Sequence, residues 1–149
     1  MIIREANIKI ESVIQTVTAD GISEGEAEKA TLQAVGYYHF KDSAHALITY
    51  AEKTESGDLT SELLILPSSV RVKKQGAIVS DMRIETGVTD RSVYSIPPYR
   101  FDMTVMGVGL SYSIDCSGGE VTLEYKMSIG GADRLASMKI WISTDLSRK

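Results

Sequence analysis

The stretch that decides the fold is KATLQAVGYYHF, residues 29–40, in which Ala30, Leu32, Ala34, Gly36, Tyr38 and Phe40 share one parity while Lys29, Thr31, Gln33 and His39 share the other. An apolar residue at every second position suits a strand with one face turned to a core, because successive side chains of an extended chain point to opposite sides. The next run, AHALITYAE at 44–52, repeats the pattern through Ala44, Ala46, Ile48 and Tyr50. Between the two, Lys41-Asp42-Ser43 supplies turn chemistry, so the pair reads as a β-hairpin.

The same period of two runs along the rest of the chain. It is visible in Ile78, Ser80, Met82 and Ile84; in Phe101, Met103 and Val105; and in Leu110, Tyr112, Ile114 and Cys116. It returns in Val121, Leu123, Tyr125, Met127 and Ile129, and in Met138, Ile140 and Ile142. Breakers separate these runs at Asp20-Gly21, Gly57-Asp58, Pro67-Ser68-Ser69, Gln75-Gly76, Thr86-Gly87, Pro97-Pro98, Gly107, Gly118-Gly119 and Gly130-Gly131. Ten or eleven segments read as strand. Ser23 followed by Glu26 resembles a helix capping box, but Gly25 and the alternation beyond it oppose a long helix. Strands separated by short turns favour an all-β, antiparallel up-and-down meander, and such a ribbon removes its exposed edges most simply by closing. The expected architecture is a barrel of about eight strands with little or no helix. A barrel of that size is either filled by its own side chains or holds one small ligand.

Composition limits the partners. The 149 residues fit one domain, 1–149, and the formal charge of −4 does not favour nucleic acid or an anionic membrane. Acids outnumber bases 11 to 5 over residues 1–62, whereas bases outnumber acids 11 to 9 over 63–149. Arg4, Glu5, Lys9 and Glu11 interrupt the N-terminal stretch where a signal peptide needs an apolar core, and the longest uncharged run, Met103 to Ile114 apart from its flanks, is too short to span a bilayer as a helix. Cys116 is the only cysteine, which fits a reducing, cytoplasmic location; its expected role is a small buried hydrophobe.

Strand and turn patterns also carry a family resemblance. VRVKKQGAIVSDMRIETG (70–87), GYYHFK (36–41) followed by ITYAEK (48–53), the segment Tyr94–Pro97 and the hairpin EVTLEYKMSIGGADRLASMKIWIS (120–143) together resemble the YwiB-like family of uncharacterised bacterial proteins. The resemblance implies a calycin-like, lipocalin-type barrel with no assigned activity. One departure is Tyr99, which stands where the family tends to place glycine after its Tyr-x-x-Pro segment.

Chemistry-bearing motifs are few. The chain lacks G-x-S-x-G, a P-loop, G-x-G-x-x-G, H-E-x-x-H and C-x-x-C. Neither a cofactor nor a nucleophile–base pair is legible, which directs attention to binding or interaction rather than catalysis. Four tyrosines, Tyr38, Tyr50, Tyr112 and Tyr125, fall on apolar parity and are candidates to line a lumen; buried hydroxyls need partners from the protein or from a ligand. In SIPPYRF (95–101), Pro97-Pro98 must interrupt a strand ladder, and Tyr94, Tyr99, Arg100 and Phe101 around it are candidates for a barrel mouth, with Arg100 meeting a small anion. His39 and His45 flank the Asp42 turn and could face each other outside the hairpin, but two ligands make a poor metal site. Arg71, Lys73 and Lys74, and likewise Glu24, Glu26 and Glu28, read as solvated faces. ELLILP (62–67) and MTVMGVGL (103–110) are apolar on both parities, through Leu64, Leu66, Met106 and Val108, and Trp141 stands opposite Ile140 and Ile142. Either the first strand folds over that outer surface or a second subunit covers it, which suggests a homodimer.

Overall fold

The computed structural model describes residues 1–17, 23–55 and 57–146; the expected turn at Asp20-Gly21 lies outside them, as do the side chains of Ser23, Glu24 and Glu26. The described residues are strand and turn, without helix. Ten strands form one antiparallel sheet: β1 (Ile2–Val17), β2 (Ser23–Asp42), β3 (His45–Thr54), β4 (Gly57–Ile65), β5 (Val70–Gly76), β6 (Ser80–Ile84), β7 (Thr89–Ile96), β8 (Tyr99–Asp115), β9 (Gly118–Ile129) and β10 (Ala132–Ser143). Ten is more than the eight expected of the closed form, because the short pieces β5, β6 and β7 each take a place in the ring. The segment of the expected capping box is strand, its backbone paired with the far end of β1.

Sequence neighbours pair throughout β1–β6 and throughout β7–β10, and β1 also pairs with β10, so that Ile8 lies opposite both Ala34 and Ile142. The order runs β6-β5-β4-β3-β2-β1-β10-β9-β8-β7, which leaves β6 and β7 as the two ends of a nearly closed barrel. Three kinds of contact draw those ends together. Val79 and Ser95 exchange two backbone hydrogen bonds of 2.8 Å; Gly87 N–H donates to Gly107 O at 2.9 Å; and the Ser92 hydroxyl donates to Asp81 O at 2.8 Å.

Gly107 was expected to break a strand. Instead Met103–Ile114 belongs to one long strand, β8, with a bulge between Gly107 and Gly109 that shifts the inward parity from Met103 and Val105 to Leu110, Tyr112 and Ile114. A bulge of this kind bends a strand and sharpens its twist, as barrel closure requires. Here it brings the backbone of β8 against the Thr86 turn.

Most of the alternating residues named above form the interior, although Ala30, Phe101 and Cys116 are exposed. Ile8, Tyr38, Ile48, Leu63, Ile65, Val72, Ile84, Met103, Leu123 and Ile140 are among the fully buried side chains. Because β1 is an integral strand between β2 and β10, it does not fold over the outside of the barrel. Cys116 departs from expectation: β8 ends at Asp115, so Cys116 sits in the turn before Gly118 and is exposed rather than buried.

Candidate functional site

The residues anticipated as ligand contacts separate along the barrel axis. Tyr38 is buried, and its hydroxyl donates to Asp115 O at 2.7 Å, tying β2 to the end of β8. Tyr112 donates to the carbonyls of Leu66 and Pro67, at 3.1 and 3.2 Å. Both tyrosines thus serve the end of the barrel where the β4–β5 and β8–β9 turns lie. Tyr50 lies opposite Ser61 in the β3–β4 register and is packed in the core. The Ser61 hydroxyl counters part of the burial effect on the Tyr50 phenol, yet its buried Oγ makes no hydrogen bond of normal geometry.

The other end is hollow. A cavity of about 560 Å³ opens there, walled by inward-facing residues of β1, β5–β10 and the β9–β10 turn. Tyr94 and Tyr125 line it together, so of the four tyrosines expected in a lumen only Tyr125 reaches the open space. Phe101 and Ile96, which flank the Pro97-Pro98 turn, stand at the same wall. The prolines themselves do not line the cavity; only these two flanking side chains do. Tyr99 and Arg100 do not line the cavity: Arg100 has the parity opposite to Phe101 and Met103 and is exposed on the outer face.

Two cations take the interior position that Arg100 does not. Lys74 shares parity with the buried Val70 and Val72, and Arg134 shares parity with Ala136 and Ile140, so the pleat turns both inward. Arg134 lies opposite Met127, one residue pair inside the Asp133↔Ser128 rung and two from the pair that ends the β9–β10 hairpin, Ala132↔Ile129. Its Nε is buried and has no hydrogen-bond partner among the described residues. Apart from the hydroxyls of Ser12, Ser80 and the two tyrosines, the remaining wall is apolar and rich in sulfur: Met82, Met103, Met127 and Met138 line the cavity, which is four of the chain's six methionines. Among the described residues, no aspartate or glutamate lines it.

Tyr125 is 4% exposed, and burial pushes its phenol up to about 12. No hydrogen bond from its hydroxyl occurs among the described residues, although a buried phenol ordinarily finds a partner. The hydroxyl has somewhere to point, because the ring borders the cavity. Composition alone reads Lys74 as part of a solvated basic patch and does not single out Arg134. In both cases the parity of the neighbouring apolar residues carried the signal.

Elsewhere, the histidines do not face each other. A register shift between Phe40 and Asp42 places His39 opposite Leu47, while His45 pairs with Asp42 and its Nδ1 lies 2.8 Å from Oδ1 of that residue. The Ala44 N–H and the His45 ring hold the Asp42 carboxyl below its ordinary range. On the outer face of β5 and β6, Arg71 grips Asp81 through two hydrogen bonds of 2.7 and 2.5 Å, as an isolated surface pair does. Among the described residues, no group of three or more histidine, cysteine, aspartate or glutamate side chains could hold a metal, and no helix is long and apolar enough to cross a membrane.

Fold and cavity together define the class: an antiparallel up-and-down β-barrel, packed at one end and open at the other. Residues 8–142 match the family described as Domain of unknown function (DUF1934), and the chain belongs to that family. The fold is also that of the ywiB protein of Bacillus subtilis, whose crystal structure superposes with a TM-score of 0.81 at 19% identity, covering 95% of this chain and 92% of that one. None of the curated proteins matches this chain. The YwiB-like resemblance in the strand and turn motifs is thereby confirmed, and a calycin-like architecture is consistent with the barrel.

Proposed function

We propose that the protein binds a small amphipathic molecule in the open end of its barrel. The observation that carries this reading is the cavity of about 560 Å³, bordered by the unpartnered hydroxyl of Tyr125. Ligand sites are commonly apolar hollows of roughly 300–1,000 Å³ with a few convergent polar groups, and this cavity has that size and character. The exposed, unpaired Cys116 suits a reducing compartment, so the ligand is sought in the cytoplasm. Native mass spectrometry of freshly purified protein should show a small-molecule adduct that organic extraction releases. The neutral dye N-phenyl-1-naphthylamine should bind saturably, and Ile129→Trp, at the cavity wall, should weaken that binding about tenfold or more. A wild-type protein with neither adduct nor dye binding would refute the reading.

A second reading, association as a homodimer, has its own support. β2 pairs with β3 only from Tyr37 to Asp42, so on that side its backbone over residues 28–35 has no partner strand among the described residues. Beside that free edge Ile3, Val35 and Tyr37 are 58%, 61% and 51% exposed, on one outer face. A free antiparallel edge is self-complementary about a two-fold axis. Sedimentation equilibrium at micromolar concentration should give a dimer that Val35→Lys dissociates; a wild-type monomer at ~100 μM would exclude it.

A further inference from the structure

We infer that the ligand of this cavity is an amphipathic monocarboxylate, its carboxylate held by Arg134 and its hydrocarbon or aryl part laid against the methionines. This rests on the binding role proposed above and adds the chemical class of the ligand.

Charge is the first support. The chain as a whole is acidic, at −4, yet among the described residues the cavity wall contains Lys74 and Arg134 and no carboxylate. Two other arginines that make ion pairs, Arg71 and Arg83, meet Asp81 and Glu85 on the outer face; neither Arg134 nor Lys74 has a carboxylate within ion-pair distance among the described residues. The nearest acid in sequence, Asp133, is exposed and on the opposite parity; it lines a second pocket, of about 350 Å³, to which Arg134 also contributes, but it is not within ion-pair distance of that arginine.

Hydrogen bonding is the second. A buried N–H without an acceptor is costly, and a guanidinium donates in a planar fork that a carboxylate matches with two parallel bonds. The Nε of Arg134 is such a donor, buried and unmatched. Tyr125 offers a further unmatched hydroxyl at the same cavity. An anion with two oxygens on one carbon can accept from both sources.

The third is the nature of the apolar wall. Methionine is unbranched and polarisable, so a lining of Met82, Met103, Met127 and Met138 adapts to tails of different shape where a wall of β-branched residues would select one. Selectivity at this site therefore falls on the head group, and the tail contributes area.

Three ligands sharing a ten-carbon chain separate these contributions: decanoate, decan-1-ol and decyltrimethylammonium, titrated into the wild-type protein by calorimetry at pH 7.5. Decanoate should bind about 10- to 100-fold more tightly than decanol, the range expected of a hydrogen bond to a charged group, and the ammonium should bind most weakly. Arg134→Met should remove the difference between decanoate and decanol by weakening decanoate, and Arg134→Lys should restore part of it. Equal affinity for decanoate and decanol in the wild type overturns the inference, and so does a full carboxylate preference in folded Arg134→Met. Should Arg134→Met fail to fold, the wild-type comparison together with Lys74→Met, expected to weaken decanoate alone, decides. If the neutral dye binds and none of the three ligands does, the monocarboxylate class is wrong and the binding barrel stands; if the dye also fails to bind, the barrel reading falls with it.

Discussion

Replacing Gly107 with valine should lower the melting temperature by about 10 °C, a loss of roughly 3–5 kcal/mol at the scale of 2–4 °C per kcal/mol for a chain of this size. The reason is the seam. A Cβ at position 107 would sit 2.5 Å from the carbonyl carbon of Glu85, closer still to its oxygen, and 3.0 Å from its nitrogen. All three atoms are backbone, so no rotamer change relieves the clash; β8 must move away from the Thr86 turn. That would break the short contacts by which β6, β7 and β8 close the barrel. Gly109, in the same bulge, provides the control, because a Cβ there would meet only the Glu124 side chain at 3.9 Å. Because the clash is already at Cβ, Gly107→Ala should carry most of the loss, whereas Gly109→Ala should change stability by less than about 1 kcal/mol. Neither glycine adopts a positive φ, so any difference between the two substitutions reports the packing of the seam. Thermal melts followed by near-ultraviolet circular dichroism measure both, and equal effects would show that the β6–β8 contact does not hold the ring together.

The seam also marks where sequence reading stops. Parity identifies the face of a strand, and it placed Tyr38, Ile48, Leu123 and Ile140 inside, where they are. It does not report depth along the barrel axis. Tyr112 and Tyr125 share the inward face, yet one is tied to the Leu66 and Pro67 carbonyls at the packed end and the other borders the cavity. Which end is open depends on registers between strands remote in sequence, such as β1 with β10, and no local pattern encodes them. Nor does period two distinguish a turn from a bulge, so Gly107 reads as a break although β8 continues through it. Arg134 was accessible in principle, two residues from Ala136 and on its parity. The aromatic and proline content around Arg100 marks a corner, but the arginine there faces outward.

Alkali should unfold the protein through its buried phenols. Burial pushes Tyr50 and Tyr125 from 10.0 to about 12, and both side chains are well enclosed, at 6% and 4% exposure. Below pH 10 these groups are protonated in the folded and the unfolded chain, so they add no pH dependence and their full contribution to stability is present. Between pH 10 and 12 the unfolded chain loses their protons first, it binds fewer protons than the native state, and stability falls as pH rises. The difference of about two pK units amounts to roughly 2.7 kcal/mol per group, or about 5 kcal/mol for the pair once pH reaches 12. Tyr38 is also raised to about 12, by burial first and then by the negative charge of Asp115, but its hydroxyl reaches the barrel end, where solvent screens part of the effect. Against a total stability of about 5–15 kcal/mol for a native domain, a loss of 5 kcal/mol is decisive. The melting temperature should therefore be flat from pH 8 to about 9.5 and fall steeply above pH 10. Tyr125→Phe isolates one share. Its hydroxyl has no hydrogen-bond partner among the described residues, so the substitution should cost less than about 1 kcal/mol at pH 8 while removing nearly half of the alkaline loss between pH 10 and 12. A Tyr125→Phe protein whose melting temperature falls with pH as steeply as wild type would mean that this phenol ionises in the native state. Water would then reach it freely, and the cavity could not provide the dry wall on which an amphipathic ligand depends.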